Sequence, residues 1–236
     1  MTTLLAPAKV TLSLRITGVR DDGYHLIDAE MVTIDLADDL ELSEGDSFLV
    51  DRGDGVLPGD PDDLVRRALR LAGRTASVVL TKRIPLGSGL GGGSADAAAI
   101  LRWADQVDLD QAATLGADVP FCLVGGRARV RGIGEIVEPL PFEPRTLTLS
   151  TPPFGCSTPA VYRAWDEMGG PRGDQGNDLE PAALAVEPRL AEWRDRLGDA
   201  SGVQPRLAGS GSTWFVDGEC LGDGRRVVHT MPANSR

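Results

Sequence analysis

Apolar residues hold every second position across 9–17 (KVTLSLRIT), the period of a half-buried strand. Turn chemistry follows at 18–25 (GVRDDGYH), and the strand pattern returns over 30–42 (EMVTIDLADDLEL) and 47–53 (SFLVDRG). The stretch 55–63 (GVLPGDPDD) reads as a loop. Its closing acids suit the start of an arginine-rich helix over 63–73 that stops at Gly73. A strand is predicted over 76–84 (ASVVLTKRI) and a helix over 94–106 (SADAAAILRWADQ). Segment 109–126 (LDQAATLGADVPFCLVGG) reads as a short helix, a turn and a buried strand, and 127–140 (RARVRGIGEIVEPL) as a hairpin. Prolines then cluster in 139–146 (PLPFEPRT), which places a boundary between domains 1–143 and 144–236. Beyond it come a strand at 147–152, helices at 158–168 and 187–198, and a turn feeding a strand at 204–218. Strands in clusters with helices between them indicate an α+β fold.

Between the strand at 76–84 and the helix at 94–106, residues 87–93 hold five glycines in seven positions. A helix start leaves backbone N–H groups without partners and carries a partial positive charge. Glycines in front let the chain wrap an anion with no Cβ in the way. The combination predicts a phosphate cradle, to which Ser88 and Ser94 add hydroxyls. A plain strand-to-helix turn would need one or two glycines. No Gly-Lys-Ser/Thr follows, which excludes a Walker loop. Gly87, Gly89 and Gly92 satisfy a dinucleotide G-x-G-x-x-G, yet the segment after the helix does not read as the second strand of such a unit.

Charge and composition narrow the picture. The net charge is -11 with no basic cluster beyond short pairs, which argues against a nucleic-acid or anionic-membrane binder. Three scattered cysteines form neither a disulfide framework nor a zinc pattern. The first residues lack a signal-peptide pattern and no apolar run approaches a membrane span, so a cytoplasmic protein is expected. Of 24 basic residues only Lys9 and Lys82 are lysine, a compact point charge, and both lie beside motif residues.

The block PLGSGLGGGSADAAA resembles the ATP-binding motif of the GHMP kinases, the small-molecule kinases that include galactokinase, homoserine kinase and mevalonate kinase. APAKVTLSLRITGVRDDGYHLI and RLAGSGSTWFV resemble the family's first and third motifs, in order, so the resemblance runs from about Pro7 to Val216. It implies a two-domain fold: an N-terminal ribosomal S5-like ATP-binding domain and a smaller C-terminal α/β sandwich. The blocks GYH, GADVPF and NDLE are similar to those of the branch whose acceptor is a cytidine-diphosphate-linked methylerythritol, on the non-mevalonate route to isoprenoids. The implied reaction moves the γ-phosphoryl group of ATP to a hydroxyl of that acceptor, with Mg²⁺. Another small-molecule kinase of the family, or a nucleotide-binding relative without turnover, are the alternatives.

By that resemblance Asp118 is the catalytic base and Lys9 its partner. On the residues alone, an aspartate between Ala117 and Val119 suits either a working carboxylate or a helix cap. The ATP site would take Leu64 and Lys82 on the adenine side. Pro85, Leu86, Gly87, Ser88, Gly89, Leu90, Gly91, Gly92, Gly93, Ser94 and Ala95 would surround the phosphates. Tyr24 and His25 would hold the cytosine, by stacking and by hydrogen bonding to its edge. Thr158 would lie near the methylerythritol part, Thr11 would stand where the family touches the substrate, and Gly209, Ser210 and Gly211 would brace the phosphate loop. No protein ligand to magnesium is implied. Thr11 and Asp63 stand where the family usually has asparagine. The expected partner is the small-molecule substrate alone, with no nucleic acid or membrane, and the protein is expected to be a monomer or weak homodimer.

Overall fold

The computed structural model describes residues 1–233. Strands β1 (Thr2–Val19) and β2 (His25–Ser43) form a long antiparallel hairpin. Then follow β3 (Phe48–Asp51), β4 (Val56–Pro58), helix α1 (Leu64–Leu71), β5 (Ser77–Thr81), α2 (Gly92–Trp103), α3 (Leu109–Ala113) and α4 (Val119–Val124). Strands β6 (Arg127–Gly132) and β7 (Ile136–Pro139) complete a seven-stranded sheet ordered β4-β3-β5-β2-β6-β7, with β1 on β2. After the prolines come β8 (Thr146–Ser150), α5 (Thr158–Glu167), α6 (Glu180–Val186), α7 (Leu190–Ser201), β9 (Arg206–Leu207), β10 (Trp214–Asp217) and β11 (Arg225–His229). They give a second sheet, ordered β11-β8-β10-β9 and antiparallel throughout. The α+β architecture expected from the strand and helix patterns is the one observed. In the first sheet only the β3–β5 pair is parallel, which is not the parallel sheet of a dinucleotide unit.

Two local expectations change. The predicted buried strand at the end of 109–126 is a helix, α4. A short apolar run carries no period that separates buried strand from buried helix. Pro120 settles the matter, since it sits in the first turn, where its missing N–H costs nothing. The loop at 55–63 contains the three-residue strand β4, exposed along its length. Helix α6 and strand β11 had no clear pattern in advance, being short and irregular in their polarity. Asp63 does start α1: its carboxylate accepts the N–H of Val65 at 2.8 Å.

Two hydrophobic clusters hold the layers together. The larger spans both sheets and buries the alanine face of α2 together with Phe121, Val161 and Trp214. The smaller packs Val10, Ile34, Ile84, Leu90, Leu149 and Phe215. Leu90 is the apolar residue inside the glycine run, and it is fully buried. It anchors a loop that otherwise has almost no side chains to pack. The second half of the chain also meets β1 and β2 through the backbone. Leu14 N–H donates to Gly176 O at 2.8 Å, and Met231 N–H donates to Thr33 O at 2.9 Å. A Leu90→Ala substitution should cost about 2–5 kcal/mol of unfolding free energy, as a buried leucine truncation does. Urea unfolding followed by tryptophan fluorescence would measure it.

Candidate active site

The glycine loop enters α2 without a side-chain cap. Gly91 is the N-cap residue, and the first backbone bond of the helix runs from Ala95 N–H to Gly91 O at 2.9 Å. The N–H groups of Gly92, Gly93 and Ser94 therefore have no backbone partner among the described residues, and all three residues line a cavity of about 390 Å³. Open donors at the positive end of a helix are an anion site. The loop is held from behind by 208–213. Thr213 N–H donates to Ser88 O at 3.1 Å, and Gly89, at φ +78°, has no room for a side chain: a Cβ there would stand 2.5 Å from Ala208 O and 2.6 Å from Gly211 O. Asn177 in turn holds this brace, donating from Nδ2 to Leu207 O at 2.9 Å and to Gly209 O at 2.7 Å.

Lys9 rises from β1 at a register shift, and its backbone N–H donates to Leu90 O at 2.9 Å. The side chain is buried. Its Nζ lies 3.2 Å from Asp118 Oδ2 and donates to Thr11 Oγ1 at 3.1 Å. Asp118 occupies the N-cap position of α4, yet its carboxylate makes no capping bond. It turns to Lys9 instead and stays about one-third exposed, facing the same cavity as the helix N-terminus. A capping aspartate spends its oxygens on backbone N–H groups. This one keeps acceptor capacity on the side that faces the cavity. The tip of the β6–β7 hairpin closes over it: Ile133 and Gly134 line the cavity, and a Cβ on Gly134 would stand 2.2 Å from Ala117 O.

The second lysine has a different task. Lys82 Nζ is shared between Asp38 Oδ2 at 2.5 Å and Asp96 Oδ2 at 2.7 Å, and all three side chains are nearly inaccessible. Asp38 also accepts the N–H groups of Arg83 and Ile84, at 2.5 and 2.8 Å, which fixes the entry into the glycine loop. One ammonium faces two carboxylates, and Asp96 Oδ1 has no hydrogen-bond partner among the described residues. Burial pushes the Asp96 carboxyl up to about 7, with Lys82 opposing and Asp38 and Asp63 adding to the rise. For Lys82 burial acts downward, but Asp96 and Asp38 outweigh it and the ammonium is raised.

On the other wall stand Thr158, Tyr162 and Ser210. Thr158 and Ser210 share a hydroxyl–hydroxyl bond of 2.8 Å. Tyr162 is kept as a phenol by burial, with the charge of Asp118 acting in the same direction. Of the residues singled out in the sequence, Lys9, Thr11, Leu64, Lys82, Asp118 and Thr158 line this cavity with Pro85–Gly89 and Gly91–Ser94. Leu90 and Ala95 lie beneath the lining as buried support. Tyr24 and His25 are not on the wall. Tyr24 sits on the β1–β2 turn, 59% exposed. His25 packs against Tyr162, ring centroids 4.7 Å apart, and so touches the wall from outside. Sequence reasoning missed Tyr162, Asp38 and Asp96. Asp38 shares the inward phase of Leu36 and Leu40 on β2, a signal that was there to be read. Tyr162 follows Thr158 by one helical turn, which carries meaning only once Thr158 is placed.

A model of the GHMP kinases N terminal domain matches residues 63–126. A 4-diphosphocytidyl-2-C-methyl-D-erythritol kinase of Ruegeria pomeroyi is 40% identical over 242 residues, covering 89% of this chain and 86% of the relative. One from Paracoccus denitrificans is 42% identical over 231 residues, covering 89% and 84%. A solved 4-(cytidine 5'-diphospho)-2C-methyl-D-erythritol kinase superposes with a TM-score of 0.76 at 30% identity, over 97% of this chain and 99% of that one.

The buried triad makes a stability prediction. The folded state holds the Asp96 proton up to about 7, whereas an unperturbed carboxyl loses it near 3.8. The raised value thus contributes stability that is complete below about pH 4 and lost as pH climbs through about 7. Asp96→Asn carries no such proton. The difference in unfolding free energy between wild type and variant should shift in the variant's favour between pH 5 and pH 8, measured by urea unfolding in matched buffers.

Proposed function

As a member of the 4-diphosphocytidyl-2-C-methyl-D-erythritol kinases within the GHMP kinase family, this chain is, we propose, an ATP-dependent kinase of the same alcohol. It moves the γ-phosphoryl group of ATP to a hydroxyl of 4-diphosphocytidyl-2-C-methyl-D-erythritol, a step toward isoprenoid precursors. The observation that carries this reading is a single cavity holding both halves of the chemistry. Uncapped N–H groups of the α2 start lie on one side, and the Lys9–Asp118 pair, 3.2 Å apart, lies on the other.

Phosphoryl transfer is mainly positioning and charge stabilisation. The N–H groups of Gly92, Gly93 and Ser94 hold the nucleotide phosphates, with the rest of the Pro85–Ala95 loop shaping the cradle. Lys82 and Leu64 lie on the adenine side. Asp118 accepts the proton of the acceptor hydroxyl, and Lys9 stabilises negative charge on the oxygen that attacks. Thr11 occupies one of the Lys9 protons and so aims the ammonium. Thr158 contacts the methylerythritol part, and Tyr24 with His25 and Tyr162 receives the cytosine. Among the described residues no three metal-ligating side chains come together. Mg²⁺ would come with the ATP phosphates at the start of α2 and would supply charge neutralisation there. Asp63 serves α1 as an N-cap, a role aspartate and asparagine fill equally well.

ADP release should depend on 4-diphosphocytidyl-2-C-methyl-D-erythritol when purified protein is given ATP and Mg²⁺. Release indifferent to that alcohol would refute the substrate assignment. Asp118→Asn should lower kcat by about 10²–10⁴-fold, the range for loss of a general base. Its ATP affinity by calorimetry should stay near wild type, and a variant with wild-type turnover would remove Asp118 from the role of base.

A further inference from the structure

A second, smaller cavity of about 280 Å³ shares Pro85 with the active-site cavity. Three arginines line it: Arg83 at the entry to the glycine loop, and Arg225 and Arg226 at the start of β11. No aspartate or glutamate is on its wall among the described residues. Buried Leu36 and Leu149 supply apolar surface. The cluster joins the two halves of the chain, since Arg83 follows β5 and β11 belongs to the second sheet.

The positive charge is only partly answered. Arg83 pairs with Asp39. Arg225 donates from Nη1 to Cys220 Sγ at 3.1 Å, and its Nε is buried with no hydrogen-bond partner among the described residues. Arg226 is exposed on the edge strand and makes no ion pair or side-chain hydrogen bond among the described residues. Asp35 lines a neighbouring depression that shares Arg83 and Arg226, but it is taken by His229, through Nδ1 at 3.0 Å and the backbone N–H at 2.9 Å. Like charges gathered beside apolar surface repel one another more than they would in water. This chain carries a net charge of -11, so a carboxylate for the gap was not in short supply.

We propose that this cavity is a second anion site, which takes a compact phosphate dianion separately from the ATP cradle. A guanidinium fork binds phosphate oxygens in pairs and keeps its charge at any working pH. Thr151 adds a hydroxyl to the wall, 3.0 Å from Thr213 Oγ1. Thr213 is the residue whose N–H holds Ser88 of the glycine loop, so the two anion sites stand back to back. The 280 Å³ volume lies below the about 300–1,000 Å³ of pockets for larger organic ligands, which suits a phosphate and not a second nucleotide. A bound dianion bridges Arg83 to β11 and so stabilises the folded chain.

Inorganic phosphate is the probe, with sodium chloride at matched ionic strength as the reference. A non-hydrolysable ATP analogue with Mg²⁺ is kept saturating, to fill the glycine loop. Phosphate should then raise the unfolding midpoint by about 2–4 °C. Arg226→Ala should weaken phosphate binding at least tenfold by calorimetry, about the worth of one charge-assisted contact, and abolish the rise. Arg226→Lys should restore only part, because a point charge lacks the fork. Arg52→Ala, which removes the same charge from an exposed loop, should leave the rise intact. Arg226 is exposed and unpaired, so the variants should match the wild-type midpoint in chloride; Arg226→Gln serves if the alanine variant does not. An equal rise in wild type and Arg226→Ala would overturn the proposal. So would an equal effect of chloride, or a rise seen only without the analogue, which would put the phosphate in the glycine loop. An analogue that fails to bind would count against the ATP reading, and the comparison of wild type with Arg226→Ala would still decide this cavity.

Discussion

The backbone bond from Lys9 N–H to Leu90 O is the constraint on which the site depends. It ties the first strand to the only apolar residue inside the glycine run. Through it the ammonium that meets Asp118 and the N–H groups that open into the cavity share one rigid frame. A register shift in β1 between Pro7 and Lys9 frees that N–H from the ladder, and the burial of Leu90 keeps its carbonyl in place. A glycine loop has little packing of its own and a large conformational entropy to lose on ordering. Here the loss is offset by contacts on all sides: Leu90 below, the 208–213 turn behind, and the Asp38-held segment at its entry.

The two lysines divide the labour along this frame. Lys9 faces the cavity and has one carboxylate partner that remains partly open to it. Lys82 is enclosed by two carboxylates. A buried pair of this kind gains little net stability, because desolvation offsets attraction. What it gives is position: Asp38 joins β2, β5 and the loop entry through one side chain, and Asp96 joins the first turns of α2 to them. At both buried places the charge is lysine's compact ammonium, in a chain that otherwise uses arginine's wider fork.

The far wall shows how the second half of the chain completes what the first begins. Helix α5 contributes Thr158 and Tyr162 to the cavity and Asp166 to His25, so residues of both halves define one pocket. The segment ending in Asn177 and Asp178 adds the remaining links. Asn177 carries the brace behind the glycine loop, while Asp178 accepts from Ile16 N–H at 3.0 Å and pairs with Arg15. Neither Asn177 nor Asp178 needs to touch a substrate to matter for the geometry of the site.

Local pattern was enough for much of this protein. The alternation in β1 and β2, the glycine run before α2, the aspartate that caps α1 and the isolated Asp118 are all readable. Strand period, helix capping and backbone freedom are properties of neighbouring residues. The same rules failed for 119–124, where a six-residue apolar run has no distinguishing period and Pro120 was the only local sign of a helix. The choice of a partner could not be read at all. Whether Asp118 caps a helix or meets a lysine more than a hundred positions earlier, whether His25 faces a cavity or the flank of α5, and that Asp38 and Asp96 close on Lys82 are decided by packing. Such contacts join segments far apart in sequence. Only the burial of two sheets against shared hydrophobic clusters sets the distances between them.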